Sequence, residues 1–248
     1  MKKLAIFLVS VVLALGMSNI VMAQGDYEDH TISSWNDGDG IAGSTHDFSD
    51  LDSSSSTLGE AWNTTGELCR VCHVPHDDGE SVVRYAAGLL WNHDLSAVVS
   101  YALYTSPSFD GGINQPAGIS RLCLGCHDGT VALDAFGQYV DGTSGNEMGG
   151  SNMLELADFV IPNPNSGTAN DMRGTHPISM DFSGTELNDL TDLVVGGDGT
   201  YPIADILFND KVECASCHDV HNQESIPGTH LLRVDNDGSG LCLTCHIK

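Results

Sequence analysis

The stretch CRVCH, residues 69–73, returns in the same form three more times, as CLGCH (123–127), CASCH (214–218) and CLTCH (242–246). The four copies contain all eight cysteines: Cys69, Cys72, Cys123, Cys126, Cys214, Cys217, Cys242 and Cys245. In a helical turn, the two cysteines and the histidine of such a motif share one face. A Cys-x-x-Cys-His motif is the attachment site of a c-type haem, whose iron takes the histidine as a ligand. The sequence therefore predicts four covalently bound c-type haems, with the iron ligands His73, His127, His218 and His246.

Zinc ribbons and disulfides are the two other common uses of paired cysteines. A zinc ribbon takes four ligands from two such pairs and places no demand on the residue that follows. A disulfide needs no fixed three-residue spacing. Because histidine follows the second cysteine in all four copies, we favour haem attachment.

The N-terminus has the pattern of a secretory signal peptide. Lys2 and Lys3 precede an apolar run at residues 4–15, and residues 21–23 form a small-residue cleavage site. We expect residues 1–23 to be removed and the mature chain to be exported, to the cell exterior or cell surface, with the periplasm as the alternative. The apolar run is short for a membrane span, and none is expected.

Acidic residues outnumber basic residues by 34 to nine. Removal of residues 1–23 leaves seven basic residues against 34 acidic ones, a formal charge of −27. This excess disfavours a nucleic-acid partner, because such binding depends on neutralising phosphates. It is typical of a soluble exported protein.

Composition predicts a mostly irregular fold, with short helices at the Cys-x-x-Cys-His motifs and a few short strands. The chain has 28 glycines and only 6% aromatic residues, so we expect the haems to supply the apolar core. We divide the mature chain into a polar arm at 24–61, a first two-haem module at 62–140, a Gly-, Asn- and Asp-rich segment at 141–210 and a second two-haem module at 211–248.

The two modules repeat one order of motifs. CRVCHVPH is echoed by CASCHDVH, LCLGCH by LCLTCH, and, more loosely, GLLWN (88–92) by HLLRV (230–234). Repetition in the same order indicates duplication of a two-haem unit.

Seven histidines lie outside the motifs, enough to give each iron a second ligand. Two strong ligands favour electron transfer, whereas an open axial position favours small-molecule chemistry. His76 and His221 each follow a motif histidine by three residues, which suits ligation of a neighbouring haem. His176, in GTHPIS, is held extended by Pro177.

The fourth second-ligand candidate is His46, in GSTHDFS on the polar arm. His93, in LLWNHDLS, is its alternative, although such a histidine is more often a hydrogen-bonded neighbour of the site. We expect His30 and His230 to be solvated.

These ordered motifs resemble the multihaem cytochromes with doubled CxxCH motifs, including OmcE-type tetrahaem cytochromes that polymerise into extracellular filaments. The resemblance covers most of residues 44–248. It implies that every iron has two histidine ligands, that His46, His76, His176 and His221 are the second ligands, and that one of these comes from an adjacent subunit. We assign that role to His46, in a head-to-tail filament of copies of this chain that exchanges electrons with upstream and downstream redox partners.

Two other functions stay open at this level. One is a monomeric periplasmic electron shuttle, and another is a multihaem reductase with one open haem, against which the surplus of histidines speaks. An EF-hand at residues 235–246 is excluded, since its twelfth position is His246 where a glutamate is required. A looser calcium site there, or around Asp37 and Asp39, remains an alternative.

The purified holoprotein is expected to contain four haems per chain in a pyridine haemochrome assay. Low-temperature electron paramagnetic resonance should show low-spin ferric iron, because two histidines occupy the axial positions. A stable high-spin signal that shifts on addition of nitrite or hydroxylamine would favour the reductase instead.

Overall fold

Short regular elements separated by longer irregular stretches build this protein. The computed structural model describes residues 40–49, 63, 66–74, 90–109, 111–136, 160–161, 170–184, 186–197 and 199–247, all within one unit, residues 35–248. The helices are α1 (Gly118–His127), α2 (Cys214–Cys217) and α3 (Gly240–Cys245), with 3₁₀ turns at Ile203–Ile206 and Asp237–Ser239. The strands are β1 (Met180–Asp181), β2 (Leu193–Val195), β3 (Thr200–Pro202) and β4 (Lys211–Val212). The prediction of a mostly irregular chain with few short helices and strands is confirmed.

The three helices coincide with three of the four motifs. α1 ends at His127, α2 spans the cysteines of the third motif, and α3 ends one residue before His246. The first motif is different, because residues 68–72 form hydrogen-bonded turns rather than a helix. The turn is closed by the backbone N–H of His73, which donates to the carbonyl of Cys69 at 2.8 Å. The expectation of a helix is therefore wrong at CRVCH.

The strands form two separate antiparallel pairs. Met180 lies opposite Val212 in the β1–β4 pair, and Val194 lies opposite Tyr201 in the β2–β3 pair. Just before β4, Phe208 and Lys211 exchange both backbone hydrogen bonds. The two residues between them, Asn209 and Asp210, have φ values of 54° and 60°, as the tight two-residue turn of a hairpin requires.

Among the described residues, the buried apolar side chains form three small clusters rather than one core. One contains Phe48, Val71, Leu133 and Phe136, a second contains Val194, Ile203, Ile206 and Val234, and a third contains Tyr101, Leu124 and Met172. Cys72 and Cys126 pack against the first cluster, so apolar packing reaches two of the motifs. That haems contribute the rest of the core stays a prediction.

The first motifs of the two modules are held by the same hydrogen bonds. In the first module, Val74 N–H donates to the Leu90 carbonyl at 2.8 Å and Asn92 N–H donates to the Cys72 carbonyl at 2.9 Å. His73 and Trp91 form a β-bridge between these two bonds. We call residues 90–92 the first clamp.

Residues 231–233 form the second clamp, with matching contacts. Asp219 N–H donates to the Leu231 carbonyl at 2.8 Å, and Arg233 N–H donates to the Cys217 carbonyl at 2.9 Å. His218 and Leu232 form the corresponding bridge. The two modules therefore share one backbone arrangement around their first motifs.

The clamps correct the register of the sequence repeat. Leu90 and Leu231 occupy equivalent places and both have a left-handed backbone, with φ of 52° and 56°. Alignment of GLLWN with HLLRV from their first residues instead matches Leu90 with Leu232. That alignment is wrong by one residue, because it matches two pairs of leucines, whereas the structural register matches Leu90 with Leu231 and Trp91 with Leu232.

Several predictions concern residues outside the described ranges. They include the signal peptide at 1–23, most of the arm at 24–61, His30, His76, and the aspartates at 37 and 39. In the part of the chain that the structure does describe, no helix has the length and apolarity needed to cross a membrane.

Asp210→Gly is expected to stabilise the folded holoprotein by roughly 0.5–1 kcal/mol, because glycine adopts positive φ without the penalty of a side chain. Denaturant unfolding measures the change. Asp210→Ala, which keeps a Cβ at the same exposed position, is the matched control and should not stabilise the protein. Equal stability of the two variants would contradict the assignment of the turn.

Candidate haem-binding site

Three motif histidines each face a histidine from a distant part of the chain. The ring centres are 6.2 Å apart for His73 and His221, 6.0 Å for His127 and His46, and 6.4 Å for His246 and His176. Each pair joins one histidine of a Cys-x-x-Cys-His motif to one histidine outside the motifs. The separations in sequence range from 70 to 148 residues, so the fold brings these rings together.

The distances suit two imidazoles that bind one iron from opposite sides. With metal–nitrogen bonds of about 2 Å and about 1 Å from each nitrogen to its ring centre, the two centres lie about 6 Å apart. The structure thus brings together His46, His176 and His221, three of the four predicted second ligands, with motif histidines. His76, the fourth, lies outside the described residues.

Backbone carbonyls orient the rings of two predicted iron ligands, His176 and His218. Nδ1 of His176 lies 2.8 Å from the Pro177 carbonyl oxygen, and Nδ1 of His218 lies 2.8 Å from the His230 carbonyl oxygen. A carbonyl only accepts, so Nδ1 carries the proton and donates. Nε2 is then left as the ligating nitrogen, which is how a neighbouring carbonyl fixes the tautomer of a ligating histidine.

The His46 ring is held in its neutral form. Burial, together with the nearby His127, His218 and His221, lowers its pKa from 6.5 to about 3. Its Nδ1 is buried without a hydrogen-bond partner among the protein atoms. A neutral imidazole with an unsatisfied nitrogen is the form that binds a metal.

A second unsatisfied group lies beside another pair. The indole N–H of Trp91 is buried without a partner, and its ring centre is 6.0 Å from that of His73. Leaving a buried polar group unpaired costs about 1–3 kcal/mol. Haem would satisfy both sites, since its iron takes a histidine nitrogen and its propionates accept N–H donors, so these residues fit the group.

The eight cysteines are all free thiols in this fold. Burial raises the pKa of Cys72 and of Cys126 to about 12, which keeps both protonated at neutral pH. Among the described residues, no three histidine, cysteine or acidic side chains form a metal-holding group, so no zinc-ribbon ligand set is assembled in that part of the chain.

Two motifs lie in direct contact. The Cys123 thiol is hydrogen-bonded to Cys214, and this bond together with burial raises the pKa of Cys123. Their helices, α1 and α2, pack against each other. The attachment points of the second and third motifs are therefore neighbours.

His93, the alternative ligand, has a different environment. It is fully buried, with Nδ1 at 2.8 Å from the Asp94 carbonyl oxygen and Nε2 at 3.0 Å from that of Ala132. Since each ring nitrogen lies at a backbone carbonyl, we assign His93 to packing of the chain around Cys126, whose sulfur is 3.5 Å away.

An aspartate follows the motif histidine in the second and third motifs, and both side chains tie down the next loop. Asp128 accepts hydrogen bonds from Tyr101 Oη at 2.6 Å and from the Thr130 N–H at 2.9 Å. Asp219 accepts from the backbone N–H of Gln223 at 2.6 Å and of Glu224 at 2.7 Å. Both carboxylates are buried. The sequence analysis did not predict the roles of these two aspartates or of the clamps. The recurring His-Asp pair could have indicated the aspartates.

Comparison with known proteins places the C-terminal part in a motif family. The family model for the doubled CXXCH motif (Paired_CXXCH_1) matches residues 208–248. A search of curated proteins finds no match for this chain. The match supports a multihaem c-type cytochrome with covalently bound haem, and it covers the third and fourth motifs.

His221→Ala is expected to leave one iron with a single histidine ligand, because His221 is the partner of His73. Electron paramagnetic resonance should then show one new high-spin ferric signal, which added imidazole converts back to low spin. His230→Ala is the matched control and should keep every iron low-spin, as His230 acts at its backbone carbonyl. A purely low-spin His221→Ala variant would contradict the pairing.

Proposed function

We propose that this protein is a tetrahaem electron carrier in which every iron is bound by two histidines. The observation that carries the proposal is the set of three histidine pairs at 6.0–6.4 Å, each with one motif member. Bound haem supplies iron that takes up and releases one electron at a time. The cysteines and histidines described above would anchor that group and supply the ligands of its iron.

The duplicated arrangement also suggests the fourth ligand pair. His221, three residues after His218 in the second module, faces His73 of the first module. His76 stands three residues after His73. If the exchange is reciprocal, as the equivalent clamps suggest, His76 pairs with His218. Each module then supplies a ligand to the first motif of the other.

This arrangement of iron ligands favours an electron carrier over an enzyme. A reductase needs an iron with an open axial position where substrate binds. In the proposed ligand set, a second histidine would bind the iron at three motifs, and the reciprocal exchange would supply one at the fourth. The helices that contain Cys123 and Cys214 pack against each other, so two attachment points are neighbours, which favours transfer of electrons along the chain of motifs.

We further propose that the protein is exported and that its copies assemble into a filament. Export and assembly rest on the signal-peptide pattern and on the resemblance to filament-forming cytochromes, with a monomeric shuttle as the competing reading. In this structure His46 faces His127 of its own chain, which favours ligation within the subunit for this residue. A filament of this protein would then be held by contacts other than the His46 bond.

The isolated protomer distinguishes the two roles of His46. If His46 binds within its own chain, dilute wild-type protomer is expected to be entirely low-spin, and His46→Ala to show one high-spin iron that imidazole rescues. If His46 acts between subunits, wild-type protomer already shows that high-spin iron and loses it on assembly. Electron paramagnetic resonance before and after assembly, with electron microscopy of sheared material, reads out both.

A further inference from the structure

The second clamp contains a cation at the place where the first clamp has a neutral side chain. Asn92 and Arg233 each donate a backbone N–H to the second cysteine of their motif. Each also donates a side-chain N–H to the residue after the first cysteine, Asn92 to the Arg70 carbonyl and Arg233 to the Ala215 carbonyl. The two turns therefore have equivalent support, but the supporting clamp side chain is neutral at Asn92 and cationic at Arg233.

The guanidinium of Arg233 is fixed between its motif and two carboxylates. Nε lies 2.8 Å from the Ala215 carbonyl oxygen, inside the CASCH turn. Nη1 donates to the Glu224 carboxylate, and Nη2 lies 3.9 Å from the carboxylate of Asp219. The Arg233 side chain is 14% exposed, whereas that of Glu224 is 38% exposed. The cation thus faces the motif, and Glu224 lies on its more exposed side.

We propose that Arg233 raises the reduction potential of the haem attached at Cys214 and Cys217. Reduction of ferric to ferrous iron adds one electron, moves no proton and breaks no bond, so a fixed cation nearby favours the ferrous state. Solvent screens a charge at 14% exposure less than one on the open surface. The Glu224 carboxylate acts in the opposite direction. This inference rests on the proposed function, since it requires haem at this motif.

A potentiometric titration of holoprotein, followed by haem absorbance, tests the role of the charge. In Arg233→Gln, one of the four reduction steps should move to more negative potential, by on the order of tenfold in its equilibrium constant. Glutamine keeps an amide donor for Ala215, as Asn92 does for Arg70. Arg233→Lys keeps the charge and should titrate like the wild type. Glu224→Gln should move one step to more positive potential.

Arg173→Gln is the matched control, because Arg173 forms an exposed ion pair with Asp171 outside both clamps. It should leave the third motif's step in place. Any of three results would overturn the inference. These are wild-type potentials in Arg233→Gln, equal shifts of potential in Arg233→Gln and Arg233→Lys, and a shift to more negative potential in Glu224→Gln. If Arg233→Gln fails to mature, Glu224→Gln decides alone, and the lack of a positive shift there counts against the role of the charge.

The haem content of the wild type separates this inference from the function on which it rests. A pyridine haemochrome assay with no covalent haem would defeat the proposed function. Four haems with potentials that do not respond to Arg233 would defeat only the inference.

Discussion

The haem-binding arrangement depends on backbone hydrogen bonds that join each clamp to the first motif of its module. A turn of five residues has no helical cooperativity to hold it, since the first turn of a helix costs more than it returns. CRVCH forms only turns, and α2 is four residues long. Bonds from Asn92 to Cys72 and from Arg233 to Cys217 supply the missing support. They fix where the imidazoles of His73 and His218 leave the chain.

The sequence predicts the parts of this arrangement that covalent chemistry demands and misses those that depend on backbone conformation. Attachment requires two cysteines and a histidine at fixed spacing, so the motifs and the short helices near them can be predicted from the sequence. The clamps cannot be predicted in this way. Leu90 and Leu231 adopt positive φ, a conformation that is usually indicated by glycine or asparagine. Leu231 is buried, and tertiary packing holds it in a conformation that local propensity disfavours.

Long-range pairing is also predictable only in part. That His46, His176 and His221 are candidates followed from their neighbours in sequence, and the structure brings each of them to a motif histidine. Which motif each one meets did not follow, because spacing along the chain says little about distances across irregular loops. Residues 40–49 pack on the first module, where Phe48 joins Val71 and Phe136. The delivery of His46 to an adjacent subunit stays a prediction.

The acidic excess has an internal use beside solubility. A chain with little regular structure leaves many backbone N–H groups without ladder partners, and buried ones must be satisfied. Carboxylates do this where loops leave the motifs, as Asp219 does for Gln223 and Glu224. At Asp219 a short, charged side chain thus takes the place of strand pairing. Glu213, just before α2, instead accepts from the side-chain hydroxyl of Ser179 at 2.9 Å.

Because ligands are exchanged between the modules in the proposed arrangement, one half of the chain depends on the other for a haem ligand. His221 belongs to the second module by sequence but faces His73 of the first, whereas His46 and His176 each precede the module they serve. The first module together with the arm before it would therefore keep the pair His46–His127 and lose the partner of His73. The proposed effect of Arg233, the one cationic clamp residue, would act at the first motif of the second module, which the second clamp holds.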